Sequence, residues 1–433
     1  MNEHASRPPA PGAEADQVPD LASVFRAEHG RVVASLARRL GDLDLAEDAT
    51  GEALLVAAER WPGQGVPPNP GGWLTTVATN KALDRIRREK RRQDKYVEVA
   101  TMIDRIPSEP PEPTGPVEDD RLRLVFTCCH PALAPENRVA LTLRLLGGLT
   151  VAEIASAFLV PETTMAQRIT RSKQKIRAAH IPYRIPGPED LPVRLSGVLA
   201  VLYLVFNEGY LGSSGEALRT DLTAEAIRLA RQLREMVAGT PALGPLPEVD
   251  GLLALMLLVE SRARARVSGG VLVPLDEQDR TTWDAEMIDE GHRLVRGCLA
   301  LNRPGAYQLQ AAINAVHTDA VEASMTDWSQ VVQLFDQLLA TTPSPLVALN
   351  RAVAVAEVDG PEVALALVDP LPLTAYHAWH ATRADLLRRL GRWDEARSAY
   401  ERAIELAGNE PERTFLTRRR DGLPAPSTPG PAT

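Results

Sequence analysis

Apolar residues recur at three- and four-residue spacing along most of the chain, as in Val24, Phe25, Val32, Val33, Leu36 and Leu40, while β-branched runs of period two are missing. The pattern predicts an all-α protein. Pro-rich polar stretches at Ile106–Val117, Ile181–Pro192, Gly239–Pro247 and Gly422–Thr433 interrupt it and serve as candidate linkers. They leave helical parts at about 20–95, 118–180 and 190–420, with tails at 1–19 and 421–433 and a linker at 96–117.

In the first part, Asp44 with Glu47 three residues on reads as a capping box for a helix running to about Arg60, which Trp61-Pro62-Gly63 ends. A long helix from about Trp73 to Arg92 stacks Leu74, Ala78, Ala82 and Ile86 on one face, and Asn80, Asp84, Arg87, Arg88 and Arg91 on another. In the second part, Pro135 opens a helix that Gly147-Gly148 ends. Thr150 and Glu153 form another capping box, followed by a short helix to Ala157 and a further one from Pro161 to about Ala178. That last helix turns Met165, Ile169 and Ile176 inward and carries Thr163, Thr164, Gln167, Arg168, Arg171, Lys173 and Lys175 around them. Two short helices with a tight connection and this decoration are the layout of a helix-turn-helix.

In the third part, Val331, Ala364 and Ala396 anchor three similar segments 33 and 32 residues apart, near the period of tetratricopeptide helix pairs. The copy at Gly391-Arg392-Trp393-Asp394-Glu395-Ala396 is the most regular. Residues Leu195 to Arg303 show no period.

Charge sharpens this picture. The 433 residues carry a net charge of −9, yet Lys and Arg number 24 against 33 acids in 181–433 and 23 against 21 in 20–180. Lys81 to Lys95 holds eight bases against three acids, and Arg168 to Arg177 five against none. A basic stripe opposite an apolar one suits phosphate contact, although read alone it equally fits a solvated surface helix. Three cysteines, two of them adjacent, define no disulfide framework, so a reducing, cytoplasmic location is expected. The apolar stretches around Leu195 to Phe206 and Leu252 to Val259 fall short of the roughly 18 residues a membrane crossing needs, and Met1 to Pro19 lacks a secretory pattern.

Cys128-Cys129-His130 with His180 lacks the spacing of a zinc site and reads as a packed helix-end pair. Asn207-Glu208-Gly209-Tyr210 and Glu260 with Arg262, Arg264 and Arg266 are short polar clusters that fit ion pairs or surface. No catalytic constellation, metal or cofactor is implied, so an enzyme is not expected.

Residues 20–180 resemble the two-domain body of a bacterial extracytoplasmic-function (ECF) RNA polymerase sigma factor, on the motifs Asp42-Leu43-Asp44-Leu45-Ala46-Glu47-Asp48-Ala49, Gly72-Trp73-Leu74 through Arg87-Arg88, Leu149-Thr150-Val151-Ala152-Glu153-Ile154-Ala155 and Pro161-Glu162-Thr163-Thr164 through Arg171. The resemblance implies that Asp44, Glu47 and Asp48 bind core polymerase, at the clamp helices of its largest subunit, with the flap as a further contact. It assigns Asn80, Asp84, Arg85, Arg87, Arg88 and Arg91 to the −10 element and its melting. It assigns Thr163, Thr164, Gln167, Arg168, Arg171, Lys173 and Lys175 to the −35 element. Thr163 and Gln167 replace the family's usual Gly and Ser, so the −35 sequence does not carry over.

The remaining chain fits the subgroup with a fused C-terminal, tetratricopeptide-like extension from about residue 310. Its acidity suggests regulation, by intramolecular docking on the basic helices or by steering the polymerase encounter, and equally fits charge that only keeps a helical array in solution. The alternative is a helix-turn-helix activator that binds promoter DNA alone and senses a ligand or peptide through its helical back half.

Overall fold

The computed structural model describes residues 21–92, 120–158, 160–187, 189–211, 220–240 and 244–425. The expected tail 1–19, the linker 96–117 and most of the tail 421–433 lie outside them. Three helices come first: α1 (Leu21–Leu40), α2 (Leu43–Gln64) and α3 (Pro70–Arg92). A second group is α4 (Asp120–Cys128), α5 (Pro135–Leu145), α6 (Val151–Ala157) and α7 (Glu162–Ala178). The extension continues with α8 (Leu191–Leu211), α9 (Thr220–Ala238), α10 (Pro247–Glu260), α11 (Ala285–Ala300) and α12 (Ala306–Asp319). It ends with α13 (Trp328–Thr341), α14 (Pro345–Val358), α15 (Pro361–Val368), α16 (His377–Arg389), α17 (Trp393–Leu406) and α18 (Glu410–Asp421). Among the described residues the fold is all-α but for one small antiparallel hairpin, β1 (Val267–Ser268) and β2 (Val271–Leu272), against which α18 folds back.

The two expected capping boxes have different outcomes. Thr150 and Glu153 form theirs. At α2 the cap is instead Asp42, whose Oδ1 accepts from the backbone N–H of Asp44 at 2.9 Å and of Leu45 at 3.1 Å, leaving Glu47 free for another task. Helix α2 also runs through Pro62 to Gln64, one turn beyond the expected stop. Gly41, at φ +67°, makes the left-handed turn out of α1 that a side chain would disfavour.

Three cores result. Val32, Leu36 and Ala37 of α1 pack with Ala46, Ala53, Leu74, Ala78 and Ala82 of α2 and α3. Trp73 belongs to this core, 5.3 Å from Trp61 between ring centroids. The adjoining face of α1, Val33 and Ala34, enters a much larger core that runs from α4 through α13. The division expected near residue 185 is therefore not a core boundary. Leu124, Phe126, Leu141 and Leu143 share one interior with Leu199, Leu202 and Phe206 of α8 and Leu252–Leu258 of α10. Burying each such side chain is worth about 1.5–3 kcal/mol, enough to tie the second helix group firmly to the extension.

Cys128 and Cys129 lie inside this core, and burial pushes the Cys129 thiol up to about 12. Helix α8 is longer than its apolar stretch suggests and, by length and composition alone, could cross a membrane. Here Leu195, Val198, Leu202, Val205 and Phe206 spend that apolar surface on α5, α9 and α10. The third core, from Leu349 to Leu423, joins α14 to α18. The anchors Val331, Ala364 and Ala396 are each fully buried, at the second helix of the successive pairs α12/α13, α14/α15 and α16/α17.

Helix α9 buries Leu222, Ile227, Leu229 and Leu233 in the large core and adds polar pairs to four neighbouring helices. Asp221 lies 3.6 Å from Arg26 of α1, Glu225 3.4 Å from Arg121 of α4, Arg234 2.6 Å from Asp250 of α10, and Arg231 2.5 Å from Glu290 of α11.

Candidate nucleic-acid and polymerase interface

Helix α3 presents its charged face to solvent: Asn80, Asp84, Arg85, Arg87 and Arg88 are all exposed. Its buried alanines at four-residue spacing fix which way the arginines point. Arg91 lies on the same helix, with its side chain outside the described residues. Three cations of α3 pair with acids of their own domain. Arg85 pairs with Asp48 at 2.6 Å, Lys81 with Glu52 at 3.6 Å and Arg87 with Asp84 at 3.5 Å. Asp48 and Arg85, expected to serve polymerase and DNA separately, thus engage each other.

Helices α6 and α7 form the helix-turn-helix, seated on Ile154, Met165, Ile169 and Ile176. Thr163, Gln167, Arg171 and Lys175 are exposed, and Thr164 and Arg168 half-buried. Lys173 points the other way, into the first helix group. Its side chain is 11% exposed and its ammonium bonds the Glu47 carboxylate, itself 10% exposed, while lying 3.2 Å from Asp44. Arg144 of α5 donates through Nε to the second Glu47 oxygen at 2.5 Å and through Nη1 to the Leu149 carbonyl at 2.8 Å. At the outer edge Arg177 reaches Asp44 at 2.7 Å and Asp42 at 3.1 Å.

Two of the three acids expected to meet polymerase are therefore occupied by cations of the helix-turn-helix domain. The Glu47 pairs, being buried, dominate this cluster; the Arg177 pairs are exposed and worth little. Burial alone would raise the Glu47 carboxyl, but Lys173 and Arg144 outweigh it and hold it below its usual value.

Residues that the sequence pattern did not single out complete the contact. A Cβ on Gly30 of α1 would sit 2.5 Å from the Leu146 carbonyl oxygen, so only glycine allows α1 to approach the end of α5 this closely. The one available sign was a lone glycine inside a helical pattern. Beside it His29 is buried, and that burial, with Arg144 adding to it and Glu47 opposing, lowers its pKa to about 4. Tyr183 lies in the stretch expected to be a linker, yet its hydroxyl is 2.9 Å from the Ala34 carbonyl of α1 and 2.8 Å from the Asp120 carbonyl of α4. The segment is a packed strap. Among the described residues the main contacts of the extension with the front half are at α1, α4 and α5, through α8 and α9.

Known proteins match this arrangement piece by piece. Sigma-70 region 2 matches residues 24–92 and Sigma-70 region 4 residues 123–176. A family of unknown function, DUF6596, matches 194–299, and the tetratricopeptide repeat matches 377–410. An uncharacterized protein of Rhizobium meliloti is 42% identical over 91% of this chain and 94% of its own length. The ECF RNA polymerase sigma factor SigE of Mycolicibacterium smegmatis is 34% identical over 35% of this chain and 58% of its own. The probable ECF RNA polymerase sigma factor SigI of Mycobacterium tuberculosis is 28% identical over 37% and 56%. The chain belongs to the ECF sigma factors. It carries the tetratricopeptide-like C-terminal extension as well, shared along nearly its whole length with the Rhizobium protein. No solved structure matches it. Regions 2 and 4 of this sigma factor are the α1–α3 and α4–α7 groups, and membership implies partnership with core RNA polymerase and promoter DNA.

Proposed function

We propose that this sigma factor is described here in a closed form, and that it initiates transcription after region 2 parts from region 4. In the open form Asp44, Glu47 and Asp48 engage the clamp helices of the largest polymerase subunit. Asn80, Asp84, Arg85, Arg87, Arg88 and Arg91 then hold and melt the −10 element, because opening a duplex needs a pocket for an unstacked base and a positive track for the displaced strand. Thr163, Thr164, Gln167, Arg168, Arg171, Lys175 and the released Lys173 read the −35 element and its phosphates. The extension regulates this exchange by fixing region 4, with which it shares a core. No reaction is catalysed by these side chains; the polymerase supplies the chemistry.

The observation that supports the reading is the buried Glu47–Lys173–Arg144 cluster, in which the acid proposed for polymerase and the cation proposed for DNA neutralise each other. The test is run-off transcription with the full chain and core polymerase, comparing wild type with Gly30→Ala. Promoter-specific transcripts that increase severalfold in Gly30→Ala are expected. A chain that adds nothing to core polymerase but shifts isolated duplex by itself would instead be a helix-turn-helix activator. Equal output from both proteins would remove the closed form as a regulated state.

A further inference from the structure

Two short motifs without a part in the promoter reading meet inside the extension. Arg266 lies flat on Tyr210, with its Cζ 3.3 Å from the ring centroid. Arg266 and Arg262 are only 5% and 7% exposed, and Arg262 feels the positive charge of both Arg266 and Arg280. Arg262 donates through Nη2 to Asn314 Oδ1 at 2.8 Å, and Arg266 through Nη2 to the Val259 carbonyl at 3.0 Å. Arg280 donates through Nη1 to the His317 and Ala320 carbonyls at 2.6 Å each.

Every one of these acceptors is neutral. Glu260 acts on Arg266 electrostatically without forming an ion pair with it; the Glu260 carboxylate accepts from Thr223 Oγ1 at 2.9 Å, and burial raises its pKa. His317 adds no charge, since burial, Arg262 and Arg280 push it down to about 4.

Two donors are left over. Arg266 Nη1 and Trp283 Nε1 are enclosed and have no acceptor, and the Trp283 ring lies 4.6 Å from Arg280 Cζ. A guanidinium withdrawn from water costs several kcal/mol unless an opposite charge meets it, and neighbouring guanidiniums raise that cost. Dipoles and the two aromatic faces of Tyr210 and Trp283 offset only part of it. What the guanidiniums lack is an oxyanion in direct contact, the partner for which the planar guanidinium fork is shaped.

We propose that Arg262, Arg266 and Arg280 form a binding site for a small oxyanion, a phosphate or carboxylate group, with Arg266 Nη1 as its central donor and Tyr210 holding that guanidinium in place. The site lies in the extension, away from α3 and α7, and stands independently of the closed-form reading.

Isothermal titration calorimetry of the full chain tests it, with inorganic phosphate and acetate as separate probes and ionic strength held constant with chloride. Saturable binding of at least one probe at one site per chain is expected, and the arm that saturates identifies the group. Arg266→Gln should weaken that binding tenfold or more, while Arg264→Gln, at an exposed neighbour, leaves it unchanged. Should circular dichroism show Arg266→Gln to be unfolded, Arg280→Gln takes its place with the same expected loss. Absence of saturable heat with both probes in the wild type, or wild-type affinity in the folded variant, overturns the proposal.

Discussion

Helices α3 and α7 look alike as sequences, each an apolar stripe opposite a row of Arg and Lys, yet their cations end in different places. On α3 the described partners of Arg85, Lys81 and Arg87 are acids of the same domain, and the face stays open. On α7 the row divides. Its first turns, with Thr163, Gln167 and Arg171, remain exposed, whereas Lys173 and Arg177 cross to acids more than 120 residues away in the chain. Helical periodicity decides which face carries charge; what that face meets depends on the neighbouring domain.

The contrast breaks most sharply at Glu47. Glu47→Ala strands Lys173 and Arg144 without their buried carboxylate and should cost the closed form about 3–5 kcal/mol, read as expansion by small-angle scattering and as a lower denaturation midpoint. Methionine at Glu47, Lys173 and Arg144 together should recover most of it. Unchanged compactness in Glu47→Ala would mean that the cluster holds nothing together.

Acid is the next largest lever. His29 has its pKa lowered from 6.5 to about 4, so the closed form is at full strength above 6.5 and weakens as pH falls through that window. At about 1.4 kcal/mol per unit, the loss by pH 4 is on the order of 3 kcal/mol. Glu47, also lowered, adds a loss of the same sign below its usual 4.5. Scattering profiles from pH 7.5 downward should show the expansion, and His29→Gln should remove its higher-pH part.

Gly30→Ala comes third. Its methyl meets backbone and not a flexible side chain, so about 1–3 kcal/mol of closed-form stability should be lost with every charge intact. Arg168→Ala is the complementary test on the open half of α7, expected to cost about 1–3 kcal/mol in promoter binding with core polymerase while scattering stays unchanged. The smallest effect is that of Arg85→Ala: its pair with Asp48 is solvated, and less than about 1 kcal/mol of stability should depend on it. A large loss of stability there would make α3 a second clasp and erase the difference between the two helices.

Local chemistry was legible in the sequence, and distant chemistry was not. Thr150 and Glu153 form the capping box their spacing announces, because both partners lie within one turn. Asp44 and Glu47 have the same spacing, but Asp42 lies two residues earlier and takes the cap, so Glu47 is free for Arg144 and Lys173. The tetratricopeptide anchors were readable because a repeat states its own period. The linker reading of Ile181–Pro192 failed at Tyr183: proline content marks an absence of helix, and that is different from an absence of packing. Likewise neither Tyr210 nor Arg266 announces the other across the intervening chain.

Helix α9 is the axle of this molecule. Asp221 bears on Arg26 of region 2, Glu225 on Arg121 of region 4, and one turn carries Thr223 to Glu260 beside the interior arginines. A roll of this rod by a few degrees would move its bearings at the front and the back in the same stroke, so no shift of α9 within the extension stays confined to the extension.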